Sequence, residues 1–483
     1  MSVPRSFAPS LDGNRLADLR KRLARACDEA KARPDPVAPF ESDKERFGIT
    51  HGRYQHLLYA WQDFLSEDRK SVNGSRIGPD HDSWPALEKK LESFDHYQID
   101  IEDINLHYIH ERATPHTSSA QPMIPLLLLH GWPSSILDFL EVIKPLAHPG
   151  DASTVAFDVV VPSQTGYLWS SSPTVDGFGR GKGSGPQGDF LLKDEARILH
   201  SLMISLGYRR YAIQAGDWGS ALCRHMAAMY PSNIAALHLN FAPSPPPLLN
   251  PPVIHLALRL VPSKLQSAAY ALTPSFIAKG FQYIREYPRR IDRSTYLKDP
   301  TIWTILGHVL FGIPAPLSKL DREKVQKAIY FITNGSSYAS MQGTRPSTLG
   351  IVLQSDPGAL LAWVGEKLLQ WTDEDPSDAD ICALLTLYWC TDTMPRSIYN
   401  YRNRPPTGPE SAGSDPKLYI RQPMGYSDFP KEIVPSPLSW IKQTANVKWY
   451  RKHDSGGHFI AMEKPVEFTN DLRDCFSKIW PDN

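Results

Sequence analysis

The run Gly216-Asp217-Trp218-Gly219-Ser220 follows a short apolar stretch, Tyr211-Ala212-Ile213-Gln214-Ala215, and precedes the helix-like segment Ala221 to Tyr230. A strand, a sharp turn and a helix in that order lift the residue at the turn above the end of a sheet. Where serine occupies such a turn, small neighbours permit the strained backbone that exposes the nucleophile. Ala215 and Gly219 supply that freedom here. Aspartate stands in place of serine, which changes the chemistry open to the chain. A serine hydroxyl attacks an acyl carbon of its substrate, whereas a carboxylate attacks an sp³ carbon and becomes the acyl half of an ester. Gly-Asp-x-Gly also occurs in ordinary turns, so the neighbouring segments have to decide.

Continuous apolar runs at Ile124 to Leu129, Phe157 to Val161, Tyr211 to Ala215 and Ala235 to Asn240 suit strands buried on both faces. Interleaved with helical text, they form a β/α alternation of doubly wound type. Before them, Tyr97-Ile99-Ile101 and Ile104-Leu106-Tyr108 flank Glu102-Asp103 as a β-hairpin. Residues 15 to 27 and 51 to 65 carry apolar stripes of helical period through Leu16, Leu19, Leu23 and Ala26, and through Tyr54, Leu57, Leu58, Trp61 and Leu65. The prolines of 242–252 and 404–409 preclude helix interiors and central strands, and the text between them is helical, for example Leu353 to Trp371. Strand-like text resumes at Leu418 to Met424 and Val447 to Tyr450, before a last helix at about 465 to 480. The expected fold is an α/β-hydrolase with a mostly parallel central sheet, a helical lid insertion and an N-terminal extension. The expected divisions are an extension at 1–110, the first half of the core at 111–244, the lid at 245–405 and the second half of the core at 406–483.

Equal counts of 52 basic and 52 acidic residues argue against a nucleic-acid or membrane-surface footprint and leave a small molecule as the expected partner. Five cysteines without a C-x-x-C pair suit a reduced intracellular chain. The N-terminal text has no apolar signal core, and no run of ~18 or more apolar residues follows it, so a cytoplasmic protein without a membrane anchor is expected. Gly177 to Gly188 contains Gly-Lys without the phosphate-loop spacing and reads as a flexible surface insertion. Asp80-His81-Asp82 and His107-x-x-His110 read as solvated loop and strand residues rather than metal ligands.

A nucleophile at such a turn needs an oxyanion hole. One donor is the amide just after it and the other comes from the loop after an earlier strand. Trp218 and Trp132 stand at those places, the second within His130-Gly131-Trp132-Pro133 after the run Ile124 to Leu129. The base is expected last in the chain, after an acid. His458, in Gly456-Gly457-His458-Phe459, has glycines that let it reach the sheet edge, while His453 is its nearest competitor. Glu432, in Phe429-Pro430-Lys431-Glu432, is the expected acid, with Asp428 and Asp454 as alternatives; a carboxylate there would hold the imidazole tautomer and stabilise the imidazolium.

With these residues in view, the chain from about residue 10 to its C-terminus resembles the microsomal-type epoxide hydrolases, in particular soluble fungal members. The resemblance is carried by Trp61 and Trp84-Pro85, the His-Gly-Trp-Pro turn, Gly-Asp-Trp-Gly-Ser, Thr344-Arg345-Pro346-Ser347-Thr348, Pro395-Arg396-Ser397-Ile398-Tyr399-Asn400-Tyr401-Arg402, Phe429-Pro-Lys-Glu432 and Gly-Gly-His-Phe459. It implies two lid tyrosines that hydrogen-bond the epoxide oxygen, matching Tyr338 and Tyr401, with Tyr399 as the rival for the second. It implies attack by Asp217 on a ring carbon, a hydroxyalkyl ester, and hydrolysis by a water that His458 and Glu432 activate, with the Trp132 and Trp218 amides as the oxyanion hole. An epoxide and water are then the small-molecule partners, a vicinal diol is the product, and no metal or organic cofactor is required. A homodimer is suggested by the resemblance alone. The glycine-rich insertion and Gln164-Thr165-Gly166-Tyr167, both expected near the pocket mouth, depart from the family pattern and bear on the substrate more than on the reaction. The alternatives are a haloalkane dehalogenase-like hydrolase, an epoxide-opening biosynthetic cyclase and a non-catalytic binding protein of the same fold. Dehalogenases share the Asp-Trp pair but carry Asn or Glu at the position of Trp132 and lack the tyrosine pair.

Overall fold

The computed structural model describes residues 2–32, 47–66, 83–114, 123–151, 154–173, 183–185, 188–245, 317–403 and 415–481. Among them are nine strands: β1 (Arg5–Ser6), β2 (His96–Ile101), β3 (Ile104–Glu111), β4 (Met123–Leu129), β5 (Ala156–Pro162), β6 (Tyr211–Ala215), β7 (Ile234–Leu239), β8 (Ile420–Asp428) and β9 (Ala445–Lys452). They form one sheet in the order β1-β2-β3-β5-β4-β6-β7-β8-β9. The pairs β1–β2, β2–β3 and β3–β5 are antiparallel and all the others are parallel. The fold is that of an α/β-hydrolase. The unbroken apolar text of β4, β6 and β7 follows from burial on both faces: Leu126 and Leu128 join one hydrophobic cluster, while Leu127 and Leu129 join the cluster on the opposite face.

Chain order reverses around β4, which lies between β5 and β6. Ligands in open α/β sheets bind outside the carboxyl ends of the strands at such a switch point. In the parallel register of β4 and β6, Leu129 lies opposite Ala215. Both strands therefore end at the same level, and the next residues of each, His130-Gly131-Trp132 and Gly216-Asp217, emerge side by side. Asp428 at the end of β8 likewise lies opposite Lys452 at the end of β9. This brings the segments carrying Glu432 and His458 to the same edge.

The helices are α1 (Gly13–Ala32), α2 (His51–Phe64), α3 (Trp84–Glu92), α4 (Leu140–Ala147), α5 (Leu192–Ser205) and α6 (Asp217–Met229). A helical insertion follows, with α7 (Lys319–Tyr330), α8 (Ser337–Thr344), α9 (Pro346–Ser355), α10 (Pro357–Gln370), α11 (Asp378–Cys390) and α12 (Thr393–Ser397). After it come α13 (Leu438–Thr444), α14 (Ile460–Glu463) and α15 (Pro465–Ile479). The described residues between β7 and β8 hold helices and no strand. The helical text at 353–371 is two helices rather than one, because Pro357 has no N–H to continue α9 and starts α10 instead. Asp356 caps that start by accepting from the Ala359 amide at 2.9 Å. Strand β8 begins at Ile420 and runs on to Asp428, whereas 416–418 form a short 3-10 turn. The proline break at 404–409, most of that at 242–252, and Asp80-His81-Asp82 lie outside the described residues. Of the glycine-rich run, 183–185 and Gly188 form a turn in which Gly183 N–H donates to the Gly188 carbonyl at 2.9 Å, and the Ser184 hydroxyl donates to Asp194 in the first turn of α5 at 2.8 Å. His107 and His110 are buried in β3, bonded to Ser163 and Tyr208 respectively at 2.9 Å.

Helices α1 and α2 clamp the insertion. The Arg15 guanidinium donates to the Trp389 carbonyl at 3.2 Å, and the indole N–H of fully buried Trp61 donates to Thr386 in α11 at 2.8 Å. The basic face of α1 is occupied by ladder pairs, Arg22 with Asp18 and Arg25 with Glu29, each at 2.8 Å. Helix α11 is buried from Ile381 to Cys390, which accounts for an apolar character all the way round it. Among the described residues no helix is long and apolar enough to cross a membrane. Truncating Trp61 to alanine leaves a cavity at the joint between the extension and the insertion. The expected cost is about 3–5 kcal/mol, read as a lowered denaturation midpoint; an unchanged midpoint would show that the joint does not hold the two together.

Candidate active site

Asp217 is the first residue of α6 and adopts φ +40°, a left-handed conformation that costs a residue bearing a side chain. Local bonds hold it there: the Ser220 hydroxyl donates to the Asp217 carbonyl at 2.7 Å, and the Ser220 amide to the Gly216 carbonyl at 2.9 Å. Two glycines make room. A Cβ on Gly219 would stand 2.5 Å from the Leu129 carbonyl oxygen and 2.8 Å from that of His130, while a Cβ on Gly131 would fall on the Asp217 carboxylate. The carboxylate thus lies directly over the Gly131 backbone.

The Trp132 amide donates to Asp217 Oδ1 at 2.8 Å. Its loop is braced by Tyr388 Oη, which donates to the Ser134 carbonyl at 2.8 Å, and by Gln164 Nε2, which donates to the His130 carbonyl at 2.5 Å. Gln164, expected near the pocket mouth, is instead buried scaffold behind this loop. Trp218 is the second residue of α6, where an N–H has no intrahelical acceptor. Its indole meets the Tyr401 ring edge-on at 4.8 Å.

His458 Nδ1 lies 2.6 Å from Glu432 Oε1, with both side chains almost wholly buried. Glu432 Oε1 also accepts from the Ile433 amide at 2.6 Å. On the other side of the ring, Nε2 lies 3.4 Å from Asp217 Oδ2, an ion-pair distance without hydrogen-bond geometry. The other acids and the rival histidine point elsewhere. Asp428 is engaged by Lys324 and by Tyr450 Oη, the latter at 2.7 Å, Asp454 is exposed, and His453 is paired with Asp471 at 2.7 Å.

Trp132 also reaches the tyrosines. Its ring stacks on Tyr338 at 5.5 Å and meets Tyr401 edge-on at 5.7 Å, and the two phenol oxygens are 3.5 Å apart. Burial, with Tyr338 and Asp217 adding to it, holds the Tyr401 phenol well above its ordinary pKa, so it stays protonated. Tyr401 is carried by a 3-10 segment after α12, which half-buried Arg396 anchors by donating to the carbonyls of Ser170 at 2.8 Å and Leu168 at 3.0 Å. Tyr399 is more exposed and donates to Asp189 at 3.2 Å, away from this cluster.

Several residues of the site had no signal in the sequence. Trp371 meets the His458 ring edge-on at 5.4 Å, and its carbonyl accepts the His458 amide at 2.9 Å. Glu463 accepts from the Phe459 amide at 3.0 Å and the Asp373 amide at 2.8 Å, tying the His458 loop to the end of the insertion; burial pushes its carboxyl up to about 7. A cavity of about 30 Å³ lies beside Asp217 and His458, with Ser134 and Asp138 in its wall, room enough for a water molecule. Burial pushes Asp138 up to about 7, against a Ser134 hydrogen bond and the His458 charge. Glu463 and Asp138 lie on short helical turns near the loops already identified, but only packing reveals their orientation.

The model of the epoxide hydrolase N terminus matches residues 4–139, and that of the alpha/beta hydrolase fold matches residues 124–274. A Dothistroma septosporum protein classed with the epoxide hydrolases is 31% identical over 411 residues, covering 83% of this chain and 78% of that one. The structure of Aspergillus niger epoxide hydrolase matches with a TM-score of 0.70 at 30% identity, covering 99% of this chain and 97% of that one. The chain belongs to the epoxide hydrolase family. Epoxide hydrolase 1 of Sus scrofa is 26% identical over 488 residues, covering 97% of this chain and 87% of that one. The family resemblance of the motifs and the expected fold thus both hold.

In this epoxide hydrolase, burial disfavours the charged His458 ring, yet the Glu432 charge and the contact with Asp217 outweigh it and raise the group from 6.5 to about 10. Because the folded value lies above the unfolded one, the imidazolium contributes stability that is fully present below pH 6.5 and is lost as pH rises through about 10. The stability advantage of the wild type over His458→Gln, taken from denaturant midpoints, should therefore shrink across that window. An advantage that persists undiminished above pH 10 would contradict the charged assignment.

Proposed function

We propose that the protein hydrolyses an epoxide to a vicinal diol through a covalent ester on Asp217. The observation that carries this reading is the continuous line from Glu432 through His458 to Asp217, with the Trp132 amide on the far carboxylate oxygen at 2.8 Å. Trp132 binds Oδ1, which leaves Oδ2 as the attacking oxygen. Tyr338 and Tyr401 donate to the epoxide oxygen as the C–O bond breaks, because a ring-strained ether still needs a proton donor for its developing alkoxide. The product of this step is a hydroxyalkyl ester, and the proton transferred to the alkoxide is restored to the phenol by the His458 imidazolium through solvent.

Esterification removes the Asp217 charge and with it one of the groups that keep His458 protonated. The neutral imidazole then takes a proton from a water in the adjoining cavity, and the resulting hydroxide adds to Cγ of Asp217. The charge on Oδ1 is met by the Trp132 amide, with the Trp218 amide as the second donor; one such donor is worth about 2.7–4 kcal/mol when removed. Collapse expels the diol alkoxide, which takes the proton of the newly formed carboxyl. Asp217 ends as carboxylate and His458 as imidazolium, which balances the cycle. Glu432 orients the ring and stabilises its charge. The Trp218 indole packs edge-on against Tyr401, and the tyrosine pair beside it supports epoxide opening over a halide-leaving reaction at this site.

His458→Gln removes the base of the second step only. With a styrene-type epoxide the variant should accumulate protein heavier by one substrate mass on the peptide bearing Asp217, while Asp217→Ala forms neither adduct nor diol. Diol release by His458→Gln at the wild-type rate without an adduct would overturn the reading.

A further inference from the structure

One buried charge has no task in that cycle. Lys367, on α10, is 5% exposed, and its ammonium lies over the rings of Tyr338 and Trp363, 5.3 and 5.0 Å from their centroids. Its carboxylate partner is the preceding residue, Glu366, whose side chain is 26% exposed. Burying an ammonium is costly unless it meets compensating groups, and here one carboxylate and two aromatic faces provide them. The arrangement is held from both sides. Trp363 donates through its indole to Gln342 at 2.9 Å, and Gln342 lies one turn after Tyr338 on α8. Stacking of Tyr338 on Trp132 fixes the phenol against the oxyanion loop.

We propose that Lys367 is a positioning residue for ring opening, whose ammonium over the Tyr338 ring strengthens that phenol as a proton donor to the departing epoxide oxygen. As the phenol gives up its proton, negative charge spreads into the ring, and a cation over the ring face stabilises that charge. Glu366 acts in the opposite sense by offsetting part of the ammonium charge. The inference rests on the reading of Tyr338 as an oxygen-side donor and assigns a cause to its acidity. Lys367 touches neither substrate nor reacting atoms in this account, and ester hydrolysis, which uses His458, is outside its reach.

The test measures alkylation alone, by rapid quench and protein mass, in the His458→Gln background that halts the cycle at the ester. Lys367→Met should slow alkylation about tenfold, Lys367→Arg should restore most of the rate, and Glu366→Gln should accelerate it. In the otherwise native enzyme, Lys367→Met should leave the rate of ester hydrolysis unchanged. Equal alkylation rates for Lys367→Met and its parent, with Tyr338→Phe slow, would overturn the role of Lys367 while leaving the proposed function standing. An unchanged rate for Tyr338→Phe would overturn the donor reading and this inference with it. Should Lys367→Met fail to fold, Glu366→Gln decides by sign, because a merely structural ion pair predicts an equal or slower rate.

Discussion

The structure turns on the contact between the Trp132 amide and the carboxylate of Asp217. That bond requires the left-handed backbone at Asp217, the bare Cα of Gly131 beneath the carboxylate, and the close approach of Gly219 to the end of β4. It also orients the whole residue, since the backbone amide that binds the carboxylate belongs to the residue whose ring packs on both tyrosines. One residue thus spans Asp217 and the two tyrosines. Strain at the elbow is offset by the short bonds of Ser220 and by burial of the surrounding strands.

Charge is distributed around this contact in a way that suits the proposed cycle. Glu432 and Asp217 together hold the imidazole of His458 charged, and in the proposed cycle loss of the Asp217 charge on esterification would free it to serve as a base. On the proposed reading the enzyme therefore needs no separate signal between its two half-reactions. A further carboxyl near the ring, Glu463, does not pair with it but fastens its loop through backbone amides. Lys367 lies beside Tyr338, its ammonium over the phenol ring.

The legible parts of the site are those set by short-range rules. Asp217 and Trp132 are legible because each follows directly on an apolar strand, and the register of Leu129 with Ala215 converts that sequence position into proximity. His458 is marked by its glycines and its place after the last strand, and Glu432 by chain order. Tyr338 and Tyr401 were reached only through resemblance, since nothing in their local text separates them from 18 other tyrosines. Trp371, Glu463, Asp138 and Lys367 carry no local signal for a physical reason: their placement comes from contacts between elements distant in sequence, which local periodicity does not encode. The same limit applies to β1, a two-residue strand that exists only because β2 offers it an edge, and to Asp428, whose position beside Glu432 gave no sign that Lys324 and Tyr450 hold it.

The central claim is that Asp217 is esterified and that water attacks its own carbonyl carbon. It is tested most directly by one turnover of excess enzyme with a styrene-type epoxide in ¹⁸O-water, followed by mass measurement of the peptide containing Asp217. The account predicts that the label enters the Asp217 carboxylate and that the diol formed in that first turnover carries none. Label found in the diol, with Asp217 unlabelled, would mean that water opens the epoxide directly and would contradict the account.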